Sequence, residues 1–197
     1  AEGMAELGKY WQSDSVAVNA DPAIIGYLTS RAPKPLTEII KAETIEGEVW
    51  RAYAWRWSLC HFLAHNPNYA HDFKRIGVPL MRQTQKRAIE KTFGGKSDEL
   101  TFEYMQFMKH LEAGLRADLC AWQWNVKSRN IRGNRPLTKK IEAARGWQAM
   151  AVRVKSGESY TVNAEGTWKV NPEQTSACNA DGFRMARKSR SLTRPAI

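Results

Sequence analysis

Residues 49–63 read Val-Trp-Arg-Ala-Tyr-Ala-Trp-Arg-Trp-Ser-Leu-Cys-His-Phe-Leu, and this stretch decides the fold. Apolar side chains occupy most faces of the helix that these residues favour. A helix that is apolar on most faces is covered by other elements. The strongest helix of the chain is therefore expected from residue 46 to 64, at the centre of a helical domain, with Trp57 and Leu59 almost fully buried.

Shorter helical patterns flank this central helix. Asn66-Pro67 is a favourable N-cap and first-turn pair for the next helix, and Pro79 should end it. Gly94-Gly95 ends a basic amphipathic pattern. Apolar residues at spacings of three and four then predict a helix from Ser97 to Trp122. Together these patterns predict a mainly α fold over residues 1–125.

The pattern changes after a basic linker at residues 126–145. From Gly146 apolar and polar residues alternate, which predicts short strands up to residue 183, with a hairpin turn at Glu165-Gly166. About 38 residues are too few to close a β-sandwich. We therefore expect a small antiparallel β appendage. Its rings Trp147, Tyr160 and Trp168 should pack in a core, with stacking on sugar rings as the alternative.

The formal net charge of +10 is unevenly distributed. Residues 1–125 carry equal numbers of acidic and basic side chains. The excess lies in the linker and in residues 184–197, a tail with five basic side chains and no acidic one. Nucleic-acid binding usually uses a basic groove interleaved with aromatic rings. This distribution argues against a nucleic-acid partner and predicts a solvated linker and tail.

Two absences limit the function further. No run of about 18 apolar residues occurs, so the sequence predicts no transmembrane span. The three cysteines, Cys60, Cys120 and Cys178, are widely spaced and form no CxxC pair. They are expected to be small buried apolar residues.

Several segments together resemble the gluzincin family of zinc metallopeptidases. Ala1-Glu2-Gly3-Met4-Ala5-Glu6 resembles the family's third-ligand helix, "EG-x-A-E/D". Residues 49–63 resemble its following aromatic helix, and residues 68–73 the next short helix. Residues 92–95, with the helix to Trp122, resemble its closing segment. The resemblance covers residues 1–125 and implies the C-terminal part of such a domain, an orthogonal helical bundle.

The resemblance also implies roles for particular residues. Glu2 would be a zinc ligand, and Glu6 would orient a ligating histidine through its second ring nitrogen. Tyr53 would donate a hydrogen bond to the developing oxyanion. The alternative is that Glu2 and Glu6 are solvated acids in the first turn of a helix, where they favour its N-terminus.

The family's HExxH motif is absent from the 197 residues. His61 and His65 have the right one-turn spacing, but no glutamate follows His61 to act as a general base. With His71 they form an alternative three-histidine metal site. The other expectation is that His61 is packed and hydrogen-bonded, while His65 meets the dipole at the end of its helix.

The resemblance implies a zinc-dependent parent protein that hydrolyses peptide bonds, of which this chain is a portion. We expect the chain alone to hold no catalytic zinc and to be inactive, because one carboxylate cannot activate the zinc-bound water. A peptide or protein is then the substrate of the parent, and the resemblance favours an extracytoplasmic location. The alternative function is a non-catalytic helical interaction module. Its β segment, residues 146–183, resembles the start of a carbohydrate-binding jelly-roll module, so carbohydrate is the possible partner.

Overall fold

The computed structural model describes residues 8–10, 16–40, 49–82, 88–131, 133, 135–143, 145–169 and 177–179. Glu2, Glu6 and the basic tail lie outside the described residues. Residues 8 and 9 are helical. The α-helices that follow are α1 Pro22–Thr29, α2 Leu36–Ile40, α3 Val49–His65, α4 Ala70–Met81, α5 Ala88–Phe93 and α6 Ser97–Lys109. Two short 3-10 helices, η1 and η2, span Gly94–Lys96 and Ala117–Cys120, and the strands are β1 Arg129–Asn130 and β2 Val152–Arg153.

The central helix predicted from the sequence is α3. It contacts α1, α2, α4, α6 and η2, so neighbours cover it on several sides. Trp57 is 0% exposed and Leu59 is 3% exposed, which confirms the expectation for both residues. The burial follows from the composition of α3, because an apolar side chain placed on any of its faces gains stability only against another element. The mainly α fold with a small β appendage is confirmed.

The helix predicted from Ser97 to Trp122 is shorter in the structure. α6 ends at Lys109, and the chain then turns to lie beside residues 16–18. The backbone N–H of Val18 donates to the carbonyl of Leu115 at 2.8 Å, and the N–H of Gly114 donates to the carbonyl of Val18 at 2.8 Å. These long-range hydrogen bonds replace the intrahelical ones that the apolar spacing predicted, because backbone groups must be paired wherever they are buried.

The neighbouring boundaries differ by smaller amounts. Pro79 lies inside the last turn of α4, which ends two residues later, so the prediction that it breaks the helix was wrong by less than one turn. Proline removes one hydrogen bond, and its cost is smallest near a helix end. Asn66 and Pro67 precede α4 in a turn, and α4 itself begins at Ala70.

The β region holds less strand than its alternating pattern predicts. β1 pairs with β2 in a parallel sheet of two strands, rather than an antiparallel one. Within residues 154–169 the structure shows no strand, so the predicted hairpin at Glu165-Gly166 was wrong. Instead Trp168 and Cys178 exchange two backbone hydrogen bonds, 2.9 and 2.8 Å long, in an isolated antiparallel bridge.

The chain divides into two compact units. The helical unit comprises residues 1–129 and 145–152, and the second unit comprises residues 130–144 and 153–197. The segment 145–152, which the sequence groups with the β region, belongs to the helical unit. No helix in the described ranges is long and apolar enough to cross a bilayer.

The three cysteines are buried and free, as expected of small apolar core residues. Burial raises the pKa of the Cys60 thiol to about 12. It also raises that of Cys120 to about 11, with smaller contributions from Glu103 and Asp118. Both thiols are therefore protonated at neutral pH, and a protonated thiol is a poor nucleophile and a poor metal ligand.

Candidate functional site

Tyr53 is half-buried on α3, one helical turn before Trp57. Residues four apart lie on the same face of a helix, so the two rings share one face of α3. The ring of Tyr10 meets Trp57 edge to face, with centroids 6.4 Å apart. The carbonyl of Tyr10 also accepts a hydrogen bond from Nδ2 of Asn19 at 2.6 Å. The end of the N-terminal segment is therefore fixed beside the face of α3 that carries Tyr53.

His61 lies deeper in the same helix. Its ring packs between Trp57 at 5.3 Å and Phe107 at 6.1 Å, measured between ring centroids. Burial, followed by the charge of the neighbouring His65, lowers the pKa of His61 to about 3, while a hydrogen bond with the backbone of Val16 opposes this shift. The imidazole is therefore neutral at pH 7. Its Nε2 has no hydrogen-bond partner among the described residues, which makes it only partly satisfied.

The other two histidines differ in their surroundings. His65 is the last residue of α3, as expected, and its ring centroid is 4.6 Å from that of His61. Burial, then the charge of Lys74, lowers the pKa of His65, and Asp118 opposes the shift. His71 is exposed on α4. Across the part of the chain that the structure describes, no three His, Cys, Asp or Glu side chains are grouped so as to hold a metal ion. The three histidines are all described and do not form such a group.

The zinc ligand implied by the resemblance, Glu2, lies outside the described residues, as does Glu6. Of the residues to which the resemblance gives a role, the structure describes Tyr53 and its packing. The roles of Glu2 and Glu6 at a metal remain a prediction.

A second group of polar residues converges on Glu103, which the sequence did not single out. Glu103 lies on α6 and is 0% exposed. Its Oε2 accepts a hydrogen bond from Nδ2 of Asn66 at 2.6 Å, and its Oε1 accepts one from Nδ2 of Asn68 at 2.7 Å. Oε1 also accepts from the backbone N–H of Trp122 at 3.1 Å and from the indole N–H of Trp124. A buried carboxylate is tolerable only when such donors replace water.

This network connects three separate segments. Nδ2 of Asn68 also donates to the carbonyl of Trp122 at 2.9 Å, and the N–H of Asn68 donates to Oδ1 of Asn66 at 2.9 Å. The turn before α4, the middle of α6 and the segment 121–124 are therefore held together by polar contacts. Charge-assisted hydrogen bonds are directional and strong, so they fix the orientation of the side chains as well as their position.

A cleft of about 380 Å³ opens beside this network. Its lining combines two tryptophans, three amide side chains, one cation, one carboxylate and one aliphatic residue: Trp122, Trp124, Asn68, Gln123, Asn125, Lys96, Glu99 and Val126. The ring of Trp122 stacks on Trp147 with centroids 5.1 Å apart and planes 29° apart. Phe102 meets the edges of both Trp122 and Trp124, at 5.1 and 5.6 Å.

Trp147 is 52% exposed, so the expectation that it packs in a core was wrong. Trp168, at 39% exposed, also lies at the surface, and Tyr160 is half-buried. Tyr160 and Trp168 belong to the second unit, whose described residues lack the paired strands that would bury their rings. The tryptophan pair at 122 and 124 was visible in the sequence as a cluster, but nothing local connected it to Asn68 or Glu103.

Searches of protein-family models, of curated proteins and of solved structures give no match to this chain.

Proposed function

We propose that this chain forms the helical C-terminal portion of a zinc-dependent peptidase, in which a segment outside these 197 residues supplies the histidine ligands. The observation that supports the proposal is the contact of Tyr10 with Trp57. It fixes Tyr10 beside the face of α3 that bears Tyr53. The resemblance implies that the segment with Glu2 and Glu6, which lies outside the described residues, neighbours the same helix.

The proposed roles follow from the residue types. Glu2 offers a carboxylate oxygen to zinc, and Glu6 accepts the second ring N–H of a ligating histidine. The hydroxyl of Tyr53 donates a hydrogen bond to the oxyanion that develops on the scissile carbonyl. Zinc, when bound, polarises that carbonyl and acidifies its own water. The residues of this chain orient the ligands and stabilise charge.

The test uses the full-length gene product and the isolated chain side by side. The full-length protein should contain stoichiometric zinc and hydrolyse peptides. Glu2→Gln should reduce its zinc content. Tyr53→Phe should leave zinc bound and lower kcat by about 10²–10³-fold, the usual effect of losing one oxyanion donor. Tyr160→Phe, a tyrosine of the second unit, is the matched control and should leave kcat unchanged.

The isolated chain should show no hydrolysis and only weak zinc binding. A full-length product that lacks zinc, or that keeps full zinc content in Glu2→Gln, would contradict the proposal. Tight stoichiometric zinc binding by the isolated chain would contradict it too, and would direct attention to His61, His65 and His71.

A second candidate function is a non-catalytic interaction module. The cleft that residues 122–126 help to line supports it, because aromatic and amide side chains converge there and none of the proposed metal ligands is among them. Carbohydrate was expected to bind through the β segment, residues 146–183. Trp147, the ring of that segment that belongs to the helical unit, stacks on Trp122 next to the cleft. Binding that depends on Trp147, in a chain without peptidase activity, would favour this candidate.

A further inference from the structure

Exposed aromatic rings contact a residue of the cleft lining. Trp147 is 52% exposed and Phe102 is 39% exposed, and both contact Trp122, which lines the cleft. Exposed aromatic rings that cluster, rather than occur singly, mark interaction sites more often than chance exposure does. The indole of Trp147 stacks on Trp122, a residue of the cleft lining, and is itself half exposed.

The tryptophans at the cleft are held in place before any ligand binds. The carboxylate of Glu103 accepts the backbone N–H of Trp122 and the indole N–H of Trp124 from beneath the cleft. The backbone N–H of Ala149 donates to Oε1 of Gln123 at 3.3 Å, which ties the segment of Trp147 to the cleft. A site whose side chains are already ordered loses little conformational entropy on binding, and more of its interaction energy contributes to affinity. Glu103 is thus a positioning residue that does not itself reach solvent.

The charge of the lining narrows the class of ligand. Lys96 and Glu99 are its two charged residues and compensate each other, while Asn68, Gln123 and Asn125 contribute amides. Amide side chains both donate and accept hydrogen bonds, which matches hydroxyl groups that do the same. A nucleotide or nucleic acid would favour a basic lining. An extended peptide would favour an open sheet edge.

We propose that the cleft binds a neutral oligosaccharide. One pyranose ring lies with its C–H face on the exposed face of Trp147. The next sugar of the chain reaches the cleft, where the side chains of Asn125 and Gln123 form hydrogen bonds with its hydroxyl groups. Aromatic faces carry a negative quadrupole that attracts polarised C–H groups, and burial of that apolar face adds the hydrophobic term. This inference deepens the interaction-module candidate and rests on it.

The experiment titrates the full 197-residue chain by calorimetry and by tryptophan fluorescence. The probes are five neutral hexasaccharides, built from β-1,4-linked glucose, xylose, mannose or N-acetylglucosamine and from α-1,4-linked glucose. AMP and the anionic hexamer of galacturonic acid serve as comparison ligands. At least one neutral hexasaccharide should bind, with a shift in tryptophan emission, and the two anionic ligands should not.

The variants separate stacking from hydrogen bonding. Trp147→Ala should weaken binding at least about tenfold, which corresponds to about 1.4 kcal/mol. Asn125→Ala should weaken it less, because one hydrogen bond to a hydroxyl is lost. Trp50→Ala is the matched control, since Trp50 is a tryptophan of the helical unit that is 42% exposed, lies in the first turn of α3 and does not line the cleft. It should bind as the parent does. Circular dichroism of each variant verifies that the helical unit is folded.

Four results would overturn the proposal. These are no binding by any of the five neutral probes, equal binding by Trp147→Ala, an equal loss in Trp50→Ala, and binding of AMP in preference to the sugars. If zinc is found in the full-length product but no sugar binds, the saccharide proposal fails alone. If sugar binds with the expected dependence on Trp147 while zinc is absent, the peptidase proposal fails alone.

Discussion

The helical unit and the second unit differ in how far their apolar side chains are buried. In the helical unit, one buried cluster extends from Val18 to Cys120 and includes eight residues of α3. In the second unit, the described side chains are exposed or half-buried with the single exception of Cys178. Val154 and Val162 of that unit are 64% and 81% exposed.

This difference shows that a helical apolar pattern and an alternating one differ in whether the backbone hydrogen bonds need a second segment of chain. A helix pairs its own backbone groups, so α3 exists before it is covered, and burial then adds stability. A strand leaves its backbone groups unpaired until another strand arrives. In the second unit, the described residues offer Trp168 only one partner, Cys178, so alternation yields a bridge rather than a sheet.

Removing one large ring from each unit gives the largest expected contrast. Trp57→Ala should destabilise the helical unit by about 3–5 kcal/mol, because it leaves a cavity in a core that excludes water. Trp168→Ala, the counterpart in the second unit, should cost less than about 1 kcal/mol, since the ring is half-exposed and loses one hydrogen bond to the carbonyl of Asn179. Chemical denaturation monitored by helical circular dichroism measures the free energy of unfolding of the helical unit in both variants. Equal losses would mean that the helical unit depends on the second unit for its stability.

A smaller effect is expected from the polar centre of the helical unit. Glu103→Ala should lower the free energy of unfolding by about 2–4 kcal/mol, because the donors on Asn66, Asn68, Trp122 and Trp124 lose their shared acceptor inside the protein. Glu99→Ala, a half-exposed carboxylate on the same helix, is the control and should cost less than about 1 kcal/mol. Urea denaturation of the two variants at pH 7 makes the comparison. A loss of less than about 1 kcal/mol in Glu103→Ala would show that the network is replaceable.

The smallest effect concerns the pH dependence of the helical unit. The pKa of His61 in the folded protein, about 3, lies below its usual value near 6.5. The unfolded chain therefore binds more protons between these values, so the stability contributed by the neutral ring is complete above pH 6.5 and is lost as the pH falls. The loss should approach about 1.4 kcal/mol per pH unit below pH 6, and about 2 kcal/mol in total at pH 5.

The measurement compares the parent with His61→Phe at pH 7 and pH 5. The variant should lose less stability than the parent over this range, because His65, Lys74 and Asp118 are present in both proteins and their effects cancel. Identical pH dependence in the two proteins would show that His61 is accessible to protons without unfolding.

Much of the helical unit could be predicted from its sequence. The composition of residues 49–63 was sufficient to place α3 at the centre, and it also predicted the burial of Trp57 and Leu59. The limits of α6 could not be predicted, because Leu115 continues the apolar spacing but its carbonyl accepts a hydrogen bond from Val18, nearly one hundred residues earlier in the chain. A local sequence pattern does not indicate that the backbone N–H of a distant residue will bond to this carbonyl.

The candidate sites also differ in how far the sequence could predict them. Tyr53, His61 and His65 could be named from spacing on one helix, since residues four apart share a face whatever surrounds them. The cleft at Trp122 and Trp124 could not be predicted in this way. The side chains that hold these tryptophans in place belong to Glu103 and to the asparagines of the turn before α4, which are distant in the sequence. The rings were visible as a cluster in the sequence, yet their orientation depends on acceptors that lie 19 and 21 residues away.

The sequence by itself determined the helical character of residues 49–65, the burial of the three cysteines and the even charge of residues 1–125. Each of these depends on local periodicity or on composition. Only the tertiary structure decided that Glu103 collects four N–H donors, that Trp147 joins the helical unit and that α6 stops at Lys109. The physical reason is that a hydrogen bond or ring contact between distant segments contributes about 1 kcal/mol, and only once the core has brought the segments together. A pattern of neighbours cannot encode which distant partner will be present.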